Sequence, residues 1–60
     1  GTFRHKNFVA FIEFNNKIYI ATVINEIFNF KFVLTAKTSE KLYKDLMYWI
    51  SYYSDLYCFI

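Results

Sequence analysis

The spacing of apolar residues changes once along this chain, near Lys37, and that change most constrains the fold. Before Lys37, apolar and polar residues alternate in short runs, as expected of half-buried β-strands. After it, apolar residues recur every three or four positions, which is typical of an amphipathic helix. The pattern predicts an α+β fold, in which a three-stranded antiparallel β-meander is followed by one C-terminal α-helix packed on one sheet face (βββα).

The three strands are predicted within residues 8–35. Apolar runs at 8–14 and 18–24 flank an Asn-Asn-Lys sequence, which predicts a hairpin because asparagine tolerates positive φ. A three-residue loop pairs Phe14 with Ile18 and gives one nearly all-apolar inner face. On the first two strands this face carries Phe8, Ala10, Ile12, Phe14, Ile18, Ile20, Thr22 and Ile24. On the third strand it carries Phe28, Phe30, Phe32 and Leu34.

The helix is predicted over residues 38–58. The Thr38 hydroxyl is suited to cap the first turn, and Glu40 lies where the helix dipole favours an anion. The side of the helix that faces the sheet is predicted to carry Leu42, Leu46, Trp49, Ile50, Tyr53, Tyr57 and Ile60.

Residues 1–60 are predicted to form one domain, since a chain this short buries only about 60% of its unfolded surface and cannot form two cores. Residues 1–6 contain a short basic run and predict a loose N-terminal tail. Cys58 is the single cysteine, so no disulfide can form within the chain. One cysteine and one histidine do not supply the four ligands of a structural zinc site. We therefore expect neither a metal nor a cofactor.

Catalytic residues are not expected either, so the chain is predicted not to be an enzyme. General acid-base catalysis needs at least two titratable groups placed together in a cleft. The carboxylates are instead predicted on the outer sheet face, in a turn and along the solvent side of the helix. Gly1 is the only glycine, so a glycine-rich phosphate loop is not possible.

The other face of the predicted sheet is also apolar, although a sheet with a helix on one side usually has polar residues on the other. In the three-residue-loop register the outer face carries Val9, Phe11, Tyr19, Ala21 and Val23. Contiguous exposed apolar patches mark interaction surfaces, so these five residues are the predicted site. A two-fold homodimer that packs sheet on sheet, with Phe11 and Tyr19 at its centre, would cover them.

The predicted function is that of a small interaction module that self-associates or docks on another protein, using the outer sheet face and the aromatic C-terminal end of the helix. Phe, Tyr, Ile, Asn and Lys make up more than half of the chain, and AT-rich codons favour these residues. The composition indicates an AT-rich genome of a bacterium, phage, virus or protist. A viral, phage or plasmid protein that inhibits a host enzyme fits this profile, as does a piece of a larger protein. The expected location is the cytoplasm, because no charged-then-apolar secretory leader is visible. No segment reaches the roughly 18 to 20 apolar residues of a membrane span.

Nucleic-acid binding is the alternative function. Its candidate residues are the basic side chains of the tail and sheet, Arg4, Lys6, Lys17 and Lys31. A three-stranded sheet that runs into a helix at Thr38-Ser39-Glu40 resembles, in element order, plant AP2-type and phage-integrase arm-binding domains. The resemblance implies a sheet face that reads DNA with Arg, Lys and Trp side chains. In this chain the corresponding face is mainly apolar.

Overall fold

The computed structural model describes residues 1–56, which form four β-strands and one α-helix. The elements are β1 (Thr2–His5), β2 (Phe8–Asn15), β3 (Ile18–Asn25), β4 (Lys31–Ala36) and α1 (Ser39–Leu56). The strands form one antiparallel sheet in the order β1-β2-β3-β4, and α1 packs on one face, mainly over β4 and β3. The α+β class and the C-terminal helix are confirmed, but the sheet has four strands instead of three. The predictions for Tyr57, Cys58 and Ile60 lie outside the described residues.

The loose tail predicted for residues 1–6 is wrong, because most of this segment forms β1. The Ile12 N–H donates to the Gly1 carbonyl, and the Gly1 ammonium donates to the Ile12 carbonyl, both at 2.8 Å. Lys6 and Asn7 connect β1 to β2 with φ values of 48° and 67°. Two successive positive φ values define a type I′ turn, whose twist matches that of the flanking strands. Sequence reasoning missed β1 because its four residues are too few to show alternation.

The β2–β3 hairpin turns over two residues, so the predicted three-residue loop is also wrong. Asn15 pairs with Ile18, and Asn16 and Lys17 between them have φ values of 53° and 62°. This second type I′ turn shifts the pairing by one residue, which moves every β3 side chain to the opposite face. The inner face of β3, beneath α1, carries Tyr19, Ala21, Val23 and Asn25. Its outer face carries Ile18, Ile20, Thr22 and Ile24.

The space beneath α1 explains why β3 takes this orientation. Ala10, Ala21 and Ala36, on three neighbouring strands, are 0%, 0% and 7% exposed. These small side chains belong to one core cluster with the fully buried α1 residues Leu42, Leu46 and Ile50. The opposite orientation of β3 would place the branched side chains of three isoleucines in this space. Overpacking of that kind forces side chains off their rotamers or moves the backbone.

Asn25 organises the connection between β3 and β4. It is buried, and its Oδ1 accepts hydrogen bonds from the N–H groups of Ile27 at 2.9 Å and Phe28 at 2.7 Å. The Asn25 N–H donates to the Phe30 carbonyl at 2.8 Å, which closes a four-residue turn. Phe28 thus lies in the turn and is 39% exposed, so its predicted place on the inner face of a strand is wrong. The inner positions of Phe30, Phe32 and Leu34 are confirmed.

Helix α1 begins as predicted. The Lys41 N–H donates to Thr38 Oγ1 at 3.2 Å, and the Leu42 N–H donates to the Thr38 carbonyl at 3.1 Å. Glu40 lies in the first turn, near the positive end of the helix dipole. Within the predicted inner stripe, Leu42, Leu46 and Ile50 are fully buried, whereas Trp49 and Tyr53 are half-buried.

Candidate interaction surface

The outer face of the sheet is apolar, and α1 leaves it open. Cross-strand pairing arranges its side chains in three main rows. One end row contains Arg4, Val9, Ile24 and Lys31, the middle row contains Thr2, Phe11, Thr22 and Val33, and the third row contains Glu13, Ile20 and Thr35. Beyond the third row, Asn15 and Ile18 form a short pair next to the hairpin turn. We define the outer patch as Phe11, Ile18, Ile20, Ile24 and Val33. Phe11 and Val33 are the most exposed of these, at 49% and 57%.

The predicted site is only partly brought together by the structure. Of its five residues, Val9 and Phe11 lie on the outer face. Ala21 and Val23 are fully buried beneath α1, and Tyr19 faces the same side, where its ring lies 4.6 Å from that of Phe14. Placing these three on the outer face was wrong because it depended on the three-residue loop. The outer face is nevertheless apolar, since β3 carries isoleucines on that side.

Val9 differs from the rest of the outer face because it is only 5% exposed. Arg4 pairs with Val9 across β1 and β2, and its guanidinium donates to Oε1 of Glu26, just beyond the end of β3. The Arg4–Glu26 ion pair therefore bridges β1 and β3 across the strand that carries Val9. The aliphatic part of an arginine side chain covers apolar surface in such a position. Val9 thus lies on the outer face but is covered, and it is not part of the exposed patch.

A second exposed apolar surface lies along one side of α1, where the sequence predicted a contact at the aromatic C-terminal end of the helix without identifying its residues. We define it as the aromatic flank, which consists of Tyr48, Trp49, Tyr52 and Leu56. Tyr48 and Tyr52 are 63% and 49% exposed, and their ring centroids lie 5.2 and 5.6 Å from that of Trp49. Tyr43 projects from the other side of α1 and contacts Phe3 of β1, with ring centroids 5.7 Å apart. The aromatic flank therefore lies on the β4 side of the helix.

A sequence signal for the aromatic flank exists in the four-residue spacing of Tyr48, Tyr52 and Leu56. Residues four apart lie on the same side of a helix. This spacing defines a second apolar stripe beside the one formed by Leu42, Leu46 and Ile50. The two stripes together are wider than a single sheet face can bury.

The four basic residues of the nucleic-acid alternative are not gathered into one cluster. Lys6 and Lys17 occupy the turns at opposite ends of β2, which spans about 26 Å at 3.3 Å per residue. Arg4 and Lys31 lie on opposite edge strands, and Arg4 is paired with Glu26. The resemblance to AP2-type and integrase arm-binding domains is also weaker than predicted, because four strands precede the helix.

The titratable side chains of residues 1–56 are dispersed over the surface. Within this range, no three His, Cys, Asp or Glu side chains come close enough together to hold a metal ion. Glu26 pairs with Arg4, and Asp45 pairs with Lys41 at 3.1 Å along α1. Within the same range, α1 does not combine the length and the apolar content that a membrane-crossing helix needs.

Comparison with known proteins adds no family to this geometry. No family model matches the chain, and no curated protein or solved structure gives a match to it. Function therefore has to be inferred from the two exposed apolar surfaces, the outer patch and the aromatic flank.

Proposed function

We propose that this chain is a small non-enzymatic interaction module that binds another protein through the outer patch. The observation that carries the proposal is the position of Phe11. Its ring is half exposed in the middle row, flanked by Thr2 and Thr22, and the apolar side chains of Ile20 and Ile24 lie diagonally across from it on β3. An aromatic residue at the centre of an apolar patch with a polar rim is the usual form of a binding hot spot.

The shape and rim of the outer patch favour a protein as its partner. Two type I′ hairpins hold β1, β2 and β3 in a defined register, so binding orders little additional backbone. Small ligands are usually bound in concave pockets, whereas protein partners are bound on broader and flatter surfaces. Charges are few on this face: Arg4 and Lys31 lie in one end row, and Glu13 lies beside Ile20.

The size of the outer face limits the affinity of one domain. Four strands spaced about 4.8 Å apart and about 20 to 25 Å long present roughly 400 Å². A standard protein interface buries about 800 Å² on each partner. One copy alone therefore supports a weak or transient contact, and a tight complex requires additional surface.

Phe11→Lys is expected to weaken partner binding strongly without unfolding the domain. The change places an ammonium group where Phe11 would be desolvated, so we expect binding to weaken at least about 30-fold. Stability should change by no more than about 1 kcal/mol, because the Phe11 side chain is already half exposed. Lys44→Glu, on the exposed side of α1, is the matched charge-changing control and should leave binding unchanged.

Pull-downs with wild type, Phe11→Lys and Lys44→Glu as baits compare the proteins that each variant captures. Titration calorimetry with the purified partner then measures the affinity of each variant. Nuclear magnetic resonance of the complex should then show shifted side-chain signals for Phe11, Ile20 and Ile24. A partner that binds Phe11→Lys as tightly as wild type, or that shifts only side-chain signals of α1, would contradict the proposal.

Nucleic-acid binding tighter than micromolar is not expected at physiological salt. Each phosphate contact lowers the log of the affinity by about 0.9 per log unit of salt on duplex DNA. Because the basic residues are spread over both ends and both edges of the sheet, one nucleic-acid strand would engage only one or two of them. Fluorescence anisotropy with labelled duplex and single strands, between about 50 and 200 mM salt, tests this. Tight binding with a steep salt slope would favour the nucleic-acid alternative.

A further inference from the structure

The outer edge of β4 carries a row of backbone groups that point away from the sheet. The Asn25 N–H bonds to the Phe30 carbonyl, and hydrogen-bonded pairs in an antiparallel ladder recur every second residue. Residues 30, 32, 34 and 36 therefore bond to β3. The N–H and C=O groups of Lys31, Val33 and Thr35 point outward, and no strand within residues 1–56 pairs with them.

This edge lacks most of the features that prevent edge-to-edge pairing. Proteins protect edge strands with proline, lysine or other charged side chains, bulges, inward-pointing charges or a very short strand. The chain has no proline, and the pairing of β3 with β4 runs without interruption from Ile24↔Lys31 to Tyr19↔Ala36. Lys31, at one end of β4, is its single charged residue. The other edge strand, β1, has four residues and therefore offers a shorter template.

We propose that two copies of this chain pair through β4, antiparallel, about a two-fold axis at Val33. The two four-stranded sheets then become one continuous sheet of eight strands. Lys31 of each copy lies opposite Thr35 of the other, so no like charges face each other across the strand pair. The outward N–H and C=O groups of the three residues form about six hydrogen bonds between the copies. The inference goes beyond the proposed function because it uses a different surface.

The position of α1 makes this pairing compatible with helix packing. Helix α1 lies over β4 and β3, so its axis is about half a strand spacing inward from β4. The two-fold axis lies half a spacing outward from β4. The two helices are then about 10 Å apart, near the 8 to 10 Å at which helices pack.

The aromatic flank supplies the contact between the two helices. Because the aromatic flank lies on the β4 side of α1, it faces the second copy, with Trp49 and Tyr52 nearest to the other helix and Tyr48 further from the sheet. The two-fold axis makes the helices antiparallel. Lys41 and Asp45 of one copy then face the C-terminal half of the other helix and not their own equivalents.

The paired surfaces reach the size of a specific interface. An aromatic side chain buries 150 to 250 Å², so the half-exposed Tyr48 and Tyr52 still offer about 100 Å² each. With Leu56 and the edge of β4, each copy buries on the order of 500 Å², so the two copies together bury about 1,000 Å². This total is the lower limit for specific association. Pairing also joins two outer faces into one surface of about 800 Å², the standard size for one partner.

Thr35→Pro is the variant that tests the proposal. The Thr35 N–H points away from β3, so proline at this position keeps the internal ladder but removes a hydrogen bond at each end of the pair. Its ring also occupies the space of the approaching strand. Thr2→Pro is the matched control, because the Thr2 N–H points outward from the opposite edge of the sheet.

Sedimentation of the full chain, from about 1 µM to about 1 mM, should show a dimer in the micromolar range. Thr35→Pro is expected to raise the dimer Kd at least about 30-fold. Thr2→Pro and Phe11→Lys should leave the Kd unchanged, which separates this surface from the outer patch. A dimer that Phe11→Lys dissociates and Thr35→Pro does not would overturn the inference, as would a monomer at about 1 mM.

Amide hydrogen exchange of the wild type provides a second readout that does not depend on the folding of any variant. The amides of Lys31, Val33 and Thr35 should gain at least about 10-fold protection between dilute and concentrated samples, because they bond only in the dimer. The outward amides of Thr2 and Arg4 should not change. Equal exchange of the three β4 amides at both concentrations would overturn the inference.

Discussion

Phe8→Ala should destabilise the domain by about 3 to 5 kcal/mol, which is the usual cost of removing a fully buried phenylalanine ring. Phe8 is 1% exposed, and its ring packs edge-on against Phe30 and Phe32 at centroid distances of 6.0 and 6.3 Å. A folded domain has roughly 0.05 to 0.15 kcal/mol of stability per residue, so 60 residues provide about 3 to 9 kcal/mol. The loss is thus comparable with the whole stability of the domain.

Urea denaturation followed by circular dichroism and by the fluorescence of Trp49 measures this effect. Phe14→Ala is the matched control because Phe14 lies on the same strand and the same face but is 59% exposed. It should cost less than about 1 kcal/mol. Equal losses for the two variants would mean that the core does not centre on the Phe8 end of the sheet.

Ala21→Lys should prevent folding. Ala21 is fully buried on the inner face of β3, so a lysine at this position would put both a long side chain and a charge beneath α1. Overpacking costs about 1 to 3 kcal/mol and burial of an unpaired charge adds several more, so the sum exceeds about 5 kcal/mol. The expected result is a spectrum of an unfolded chain, with collapsed amide dispersion by nuclear magnetic resonance.

Thr22→Lys is the matched control for Ala21→Lys. The side chain of Thr22 lies on the outer face between Phe11 and Val33, where a lysine stem can extend along the sheet and keep its ammonium in water. We expect a change within about 1 kcal/mol and a native spectrum. In the three-residue-loop register the outcomes would be reversed, so an unfolded Thr22→Lys beside a folded Ala21→Lys would contradict the β3 orientation.

The two proposed surfaces act on different sides of the molecule and do not exclude each other. Pairing through β4 uses the sheet edge and the aromatic flank, and it leaves the outer patch of each copy exposed on one side of the joined sheet. Val33 connects the two, because its side chain belongs to the outer patch and its backbone lies at the proposed axis. A dimer would therefore present two copies of Phe11 to a partner, and binding at both raises the apparent affinity.

Local pattern was sufficient for the elements whose two sides differ. The helix follows from the Thr38 cap and the four-residue spacing of Leu42, Leu46 and Ile50. The inner faces of β2 and β4 follow from alternation, because each has polar residues on its outer side, such as Glu13 and Lys31. The apolar nature of the outer face was also predictable, although most of its residues were assigned incorrectly.

Tertiary structure decided what local pattern left ambiguous. β3 is apolar on both sides, so alternation does not distinguish the isoleucines from Ala21 and Val23, and the choice depends on the type I′ turn and on the limited space beneath α1. β1 is too short to be stable alone, and it forms because β2 offers a paired edge. The aromatic flank remains exposed because α1 carries more apolar surface than one sheet face can cover. Each of these outcomes depends on contacts between residues distant in the chain, which the spacing of neighbours does not encode.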